Sequence, residues 1–196
     1  MKKIIFLGIF LIILGCKKGK EETSEAHANY TIPPKIEVHI KDKVSIIEIT
    51  NNINISYDGK KYIGTIVDDK TNYKDDTGKI VFEVNYDNDG DFKLKDENGN
   101  LIWKIRQKPG KYKISNNEDG TDPIEIKKKD DSTLKLEKND IEIGKVKLDS
   151  KKLTLENSTD SYIETDTLII AYGFLFLPDL TDLQKLILIA EGVHIQ

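Results

Sequence analysis

Leu168-Ile-Ile-Ala-Tyr-Gly-Phe-Leu-Phe-Leu177, a break at Pro178-Asp179, and then Thr181-Asp-Leu-Gln-Lys-Leu-Ile-Leu-Ile-Ala-Glu-Gly192 lie near the C-terminal end of the sequence. Thr181 followed three residues later by Gln184 reads as a capping box, in which each side chain satisfies a free backbone N–H of a helix start. A helix over 182–191 follows, with Gly192 placed to end it. Leu186 to Ala190 are five consecutive apolar residues, and on a helix five in a row cover every face. Such a helix must be buried all round. The bilayer is the poorest burial site, because about ten helical residues span roughly 15 Å where about 30 Å is needed. Pro178, Asp179, Asp182 and Lys185 also interrupt the longer apolar stretch. A partner or the protein's own interior remains.

The body of the chain indicates which. From Lys35 to Ser158 apolar residues recur with period two, as in Ile80, Phe82, Val84 and Tyr86 or Ile124 and Ile126, the signature of half-buried strands. Asp58-Gly59, Thr77-Gly78, Asp89-Gly90, Asn98-Gly99, Pro109-Gly110 and Asp119-Gly120 punctuate them. At these places glycine accepts the positive φ of a tight hairpin. Counting between breakers gives about twelve strands, near 35–40, 45–50, 54–57, 61–68, 79–87, 92–97, 101–107, 111–116, 124–129, 133–138, 141–148 and 152–158. Residues 92–99 are echoed by 112–120, as meandering hairpins would produce. About eight strands close a barrel that side chains alone can fill, so about twelve leave a lumen that needs a filler. The expected fold is therefore mainly β: a closed antiparallel barrel with the hydrophobic C-terminal helix buried inside it. The alternative is a β-sandwich, whose apolar tail would need a partner.

The chain has 196 residues, enough for one such domain, with 33% charged residues of mixed sign and a single cysteine. This composition argues against a disulfide-stapled scaffold and a polytopic membrane protein. At the amino end Met1-Lys2-Lys3 precedes an apolar run from Ile4 to Leu14, a basic n-region joined to an h-region of signal-peptide length. Ile13-Leu14-Gly15-Cys16 resembles the lipobox of bacterial lipoproteins, and Cys16 is the only cysteine. The resemblance implies a signal peptide over 1–15, diacylglycerol and palmitate on Cys16, and membrane anchoring through those acyl chains. Residues 16–34, rich in Lys, Glu, Ser and Thr, read as a flexible tether to a domain over 35–196. Lys17 after the lipidated cysteine resembles the default for outer-membrane sorting, and Lys20-Glu21-Glu22 resembles a surface-export signal, so the expected location is the cell envelope. Without Lys2 and Lys3 the chain has 28 basic against 34 acidic residues, a net charge of −6. Nothing there favours nucleic acid, which calls for a basic footprint.

Phe174-Leu-Phe-Leu-Pro-Asp-Leu-Thr-Asp-Leu-Gln-Lys185 and the following Leu-Ile-Leu-Ile-Ala-Glu-Gly are similar to the ending of phospholipid scramblases, members of the tubby-like superfamily. There an apolar strand, a proline and an acidic pair lead into an apolar helix. Asp96 to Ile105 also looks like hairpins of that superfamily. The resemblance implies a twelve-stranded barrel around its C-terminal helix and a scramblase-like phospholipid-binding or phospholipid-moving role. The chain lacks the cysteine-rich palmitoylated segment of the animal proteins.

Two clusters stand out as candidate binding sites. Asn85, Asp87 and Asp89, with Gly90 at the sixth place and Asp96 at the twelfth, come near a calcium loop of oxygen ligands. A hairpin turn would be written with the same residues. Lys104, Arg106, Lys108, Lys111 and Lys113 put five cations into ten residues around Pro109-Gly110. On a hairpin they form a basic strip able to meet the phosphates of anionic phospholipid. Catalysis is not expected: His27, His39 and His194 are scattered, and no Gly-x-Ser-x-Gly or phosphate-loop spacing occurs. A non-catalytic binding or scaffolding domain on a lipid anchor is the reading that results, with a surface adhesin as a further alternative.

Overall fold

The computed structural model describes residues 35–87, 90–158 and 160–195. The expectations for the signal peptide, Cys16 and the tether lie outside them. Fourteen antiparallel strands form one closed barrel: β1 (Lys35–Ile40), β2 (Lys43–Ile49), β3 (Asn52–Tyr57), β4 (Lys60–Val67), β5 (Lys70–Lys74), β6 (Ile80–Tyr86), β7 (Phe92–Asp96), β8 (Leu101–Lys108), β9 (Lys111–Ser115), β10 (Ile124–Lys128), β11 (Thr133–Lys138), β12 (Ile141–Asp149), β13 (Lys152–Leu155) and β14 (Ser161–Glu164). Each strand pairs with its sequence neighbours, and β1 pairs with β14 to close the ring, Val38 opposite Ile163. Closure removes the free edges through which strands aggregate. Class and barrel are as the sequence indicates, and the sandwich alternative does not occur.

The strand number differs from twelve because β5 and β14 are nearly silent in sequence. Lys70-Thr-Asn-Tyr-Lys74 offers the interior only Thr71 and Tyr73, and Ser161-Tyr-Ile-Glu164 only Ile163. Turn chemistry is where sequence and structure agree best. All six turn glycines have positive φ, between 67° and 85°. The 92–99 and 112–120 echo also has a physical origin. Asp96 Oδ1 accepts from the N–H groups of Asn98 and Asn100, and Asn117 Oδ1 accepts from Thr121 N–H. Asp75 Oδ1 serves Thr77 and Lys79 in the same way. The three turns β5–β6, β7–β8 and β9–β10 thus share one side-chain cap, which satisfies backbone donors that a hairpin leaves unpaired.

Inward-facing residues are apolar along nearly every strand, as with Phe92 and Leu94, Ile124 and Ile126, or Leu134 and Leu136. The outer face is mainly polar and charged, with Val44, Ile63, Val67, Ile80, Ile141 and Ile143 as exposed apolar exceptions. Across β9 to β13, Lys113, Glu125, Lys127, Glu137, Lys135, Glu142, Lys145 and Glu156 make a connected series of ion pairs. A membrane-spanning barrel has the reverse arrangement, with an apolar outside. No helix among the described residues is long and apolar enough to cross a membrane.

The lumen is filled by the chain itself. After β14 the apolar run forms a 3-10 helix, Ile170–Phe176, and not the strand that the scramblase likeness implies. With no period to favour a strand, its fate was decided by the space available: Ala171 to Leu175 are all buried. The chain reverses at Pro178-Asp179 and returns as α1 (Asp182–His194). The capping box at Thr181 and Gln184 is formed. Trp103 Nε1 donates to Gln184 Oε1 at 3.3 Å and Tyr57 Oη to Asp182 Oδ2 at 3.1 Å, which fixes the start of α1 to the barrel wall. The α1 residues Leu186 to Val193 are all buried.

Gly192 does not end the helix as the sequence suggests; α1 continues to His194. A Cβ at Gly192 would stand 2.7 Å from the Ala171 Cβ. This glycine therefore lies at a close approach of α1 to the 3-10 helix, and its missing side chain is a packing requirement. Gly173 has the same role against the wall, where a Cβ would meet Ile126 Cγ2 at 2.5 Å. A fourteen-stranded lumen is wider than one helix, and two antiparallel segments fill it.

Candidate functional site

The most unusual chemistry lies inside the barrel. A helix buried on every face buries its acid too, and Glu191 is fully enclosed, with no exposed surface. Period two turns Thr71 and Tyr73 of β5 and Val84 and Tyr86 of β6 inward, with Thr71 opposite Val84 in the register. The helical rise carries Glu191 past the middle of the lumen to this wall. Tyr73 Oη donates to Glu191 Oε1 at 2.6 Å, and Tyr86 Oη donates to Glu191 Oε2. Thr71 Oγ1 lies 2.8 Å from Tyr86 Oη. With Glu191 ionised, Tyr86 gives its one hydrogen to the carboxylate and Thr71 donates to Tyr86; with Glu191 protonated, its O–H donates to Tyr86 Oη, which donates on to Thr71. One residue on, Tyr112 Oη of β9 donates to the Gly192 carbonyl at 3.2 Å.

The carboxylate has hydrogen bonds but no cation: no ion pair to Glu191 is formed among the described residues. Burial pushes its carboxyl up to about 7, against the downward pull of the Tyr73, Tyr86 and Thr71 hydroxyls. The phenols respond in turn, Tyr73 and Tyr86 being raised by burial and by the adjacent Glu191 charge. The site can therefore hold or release one proton near neutral pH in a buried, hydrogen-bonded cage.

The calcium-like residues are not brought together. Asn85 and Asp87 stand at the β6–β7 turn, where Asp87 N–H pairs with the Asp91 carbonyl. Asp96 is opposite Phe82, whereas Asn85 is opposite Lys93. Asp96 is therefore three residues up the strand from Lys93, roughly 10 Å at the strand rise. Its carboxylate is occupied in the β7–β8 turn by Asn98 and Asn100, which hold it below the usual carboxylate range. Asn85 Oδ1 is buried without a hydrogen-bond partner, and Asp89 lies outside the described residues. A hairpin and a calcium loop need the same residues at the turn; only the flanking strands decide how far apart they end.

The basic strip does share one outer face. Arg106 is opposite Lys113 and Lys108 opposite Lys111. Most of its cations are already engaged. Lys104 Nζ donates to the Glu118 carbonyl at 2.7 Å and Arg106 Nη2 to the Gly120 carbonyl at 2.6 Å, so the 116–120 loop lies across β8. Lys111 and Lys113 meet Glu125 at 3.3 and 2.6 Å. Burial alone would raise the Glu125 carboxyl, but Lys113, Lys127 and Lys111 outweigh it and bring it down to about 2.

No family model, curated protein or solved structure matches this chain. The residues themselves carry the functional argument. Glu191 was not singled out by the sequence reading, although a signal was present: it is the one acid directly following Leu186 to Ala190 on the buried helix. His39 of β1 stacks on Tyr162 with ring centroids 4.0 Å apart. Lys152 covers the other face of Tyr162 at 3.6 Å from the ring centroid. This sandwich leaves neither face of Tyr162 free for a ligand.

Proposed function

We propose that this chain is a lipid-anchored cell-envelope lipoprotein whose barrel acts as a non-catalytic binding or scaffolding module. The observation that carries the domain's part is the occupied lumen. Residues 168–195 fill the space where a ligand-carrying barrel would hold its cargo, so recognition falls to the outer wall and the turns. The ion-paired wall of β9 to β13 supports the same reading, because it gives a rigid, water-facing surface. The anchor rests on Leu14-Gly15-Cys16 after the apolar run. Two or three acyl chains, each buried methylene contributing about 0.8 kcal/mol, hold a protein at a membrane durably where one chain would not.

The anchor is tested by growing producing cells on an alkyne analogue of palmitate and fractionating them. The wild-type chain is expected to carry the label and sediment with membranes. Cys16→Ser should lose the label entirely. Label retained in Cys16→Ser, or an unlabelled wild-type chain, contradicts the proposal.

A further inference from the structure

The Glu191 cage has a property that a scaffolding role does not need. A filler helix would be served by leucine at this position, which would pack against β5 and β6 without requiring hydrogen bonds. Instead the C-terminal end of α1 is attached to the wall through one carboxyl group shared by two phenols on adjacent strands. The start of the same helix is held differently, by the capping box and by Trp103 and Tyr57. The two ends of the plug are thus secured by independent devices, and only one of them depends on a proton.

We infer that Glu191 is a proton-controlled latch that seals the C-terminal end of α1 to β5 and β6 when protonated and loosens it when ionised.

The neighbourhood isolates this group. β5 presents Thr71 and Tyr73 to it and β6 presents Tyr86. β9 contributes Tyr112, bonded to the adjacent Gly192 carbonyl. The 3-10 helix contributes Tyr172, which burial raises to about 12. β2 and β3 pack on α1 with Ser45, Ile47, Ile53 and Ile55. On α1 itself, His194 is half-buried and held below the usual histidine range by burial, while Asp182 and Lys185 pair with each other at the far end. Tyr73, Tyr86 and Tyr172 are all raised above the usual phenol range and stay neutral at physiological pH, whereas burial moves Glu191 up towards it and His194 down.

The sign follows from linkage. Closed, Glu191 keeps its proton up to about pH 7; released to water, it ionises at the ordinary value of about 4.3. Between those values opening sheds a proton, so the opening equilibrium rises about tenfold per pH unit and levels off above about 7. Mild acid tightens the plug and neutral pH loosens it.

The test is amide exchange on the full chain in detergent, corrected for intrinsic rates, from pH 5 to pH 8. It follows Ala190 to His194 relative to the central strand amides of Ile105 and Ile126. Relative protection of the α1 end is expected to fall by about 40-fold between pH 5 and 7 and by no more than about twofold from pH 7 to 8. In Glu191→Gln it should be flat, and His194→Asn should retain the wild-type profile. A flat wild-type profile, or a fall that survives Glu191→Gln or disappears in His194→Asn, overturns the latch. Should Glu191→Gln not fold, the 13C shift of the Glu191 carboxyl in the native chain decides. A midpoint near 7, moving upward in Tyr73→Phe as a donor to the carboxylate is lost, supports the latch; a midpoint near 4 overturns it.

Discussion

A chain ending at Leu177 is expected to lose the barrel altogether. Removing Pro178 onward strips Leu186, Ile187, Leu188, Ile189 and Val193 from the lumen, all of them at most 1% exposed in the intact protein. At about 1.5–3 kcal/mol for each fully buried side chain, these five contribute roughly 8–15 kcal/mol. The net stability of a domain is about 5–15 kcal/mol, so the loss is as large as the whole. The vacated space cannot collapse, because the wall is a closed ring of fourteen hydrogen-bonded strands. Near-ultraviolet circular dichroism and thermal melting of the truncated chain should show neither fixed aromatic packing nor a cooperative transition. A truncated chain that melts cooperatively near the intact protein's temperature would show that the barrel stands without its plug.

The second large effect is expected from a single added side chain. Gly192 lies inside α1, where glycine costs about 1 kcal/mol relative to alanine, and it is retained at a close approach of the two lumen segments. A Cβ there would be 2.7 Å from the Ala171 Cβ and 3.4 Å from Phe174 Cε2. Ala171 has no further side-chain torsion with which to move aside, so relief must come from shifting one helix against the other. Gly192→Val should therefore fall at the upper end of overpacking costs, about 3 kcal/mol. At roughly 2–4 °C per kcal/mol for a chain of this size, the melting temperature should drop by about 6–12 °C. Gly173→Ala meets the Cγ2 methyl of Ile126 at 2.5 Å, a β-branched group stiff at χ1, and should lower it as well. A Gly192→Val protein as stable as wild type would mean that the α1 and 3-10 segments are not packed as described.

What the sequence made legible is what local chemistry dictates. The six turn glycines, the capping box at Thr181 and the period-two faces each express a rule that acts within a few residues. The apolar run Leu186 to Ala190 also identified the lumen filler, because a helix apolar on every face has so few places to go. β5 and β14 escaped because one or two inward side chains make no period. Residues 170–176 escaped for the opposite reason: an unbroken apolar run fits strand and helix alike until the width of the lumen is known. The candidate sites show the same divide. Asn85, Asp87 and Asp96 look collected in sequence, yet strand extension separates them. Glu191, Tyr73 and Tyr86 are 105 to 118 residues apart in hydrogen-bonded pairs, and only barrel closure makes them neighbours.

The salt-bridge series on the outer wall illustrates a related limit. Pairs such as Lys147 and Glu156, 2.8 Å apart and each 39% exposed or more, contribute about 0–1 kcal/mol individually. They do not hold the barrel together; they make much of its outside between β9 and β13 compatible with water, although Ile141 and Ile143 of β12 stay exposed. The stability lies in the lumen, and so does Glu191, a carboxyl that folding removes from water entirely.

The central claim is that residues 182–194 are the interior of this protein. Hydrogen exchange of the monomeric full chain at pH 5, where the Glu191 latch is closed, tests it most directly. The amides of Leu186 to Val193 should exchange as slowly as those of the central strands β7, β8 and β10. Exchange of those amides at the rate of exposed turns would contradict the plugged barrel and place the apolar helix outside it.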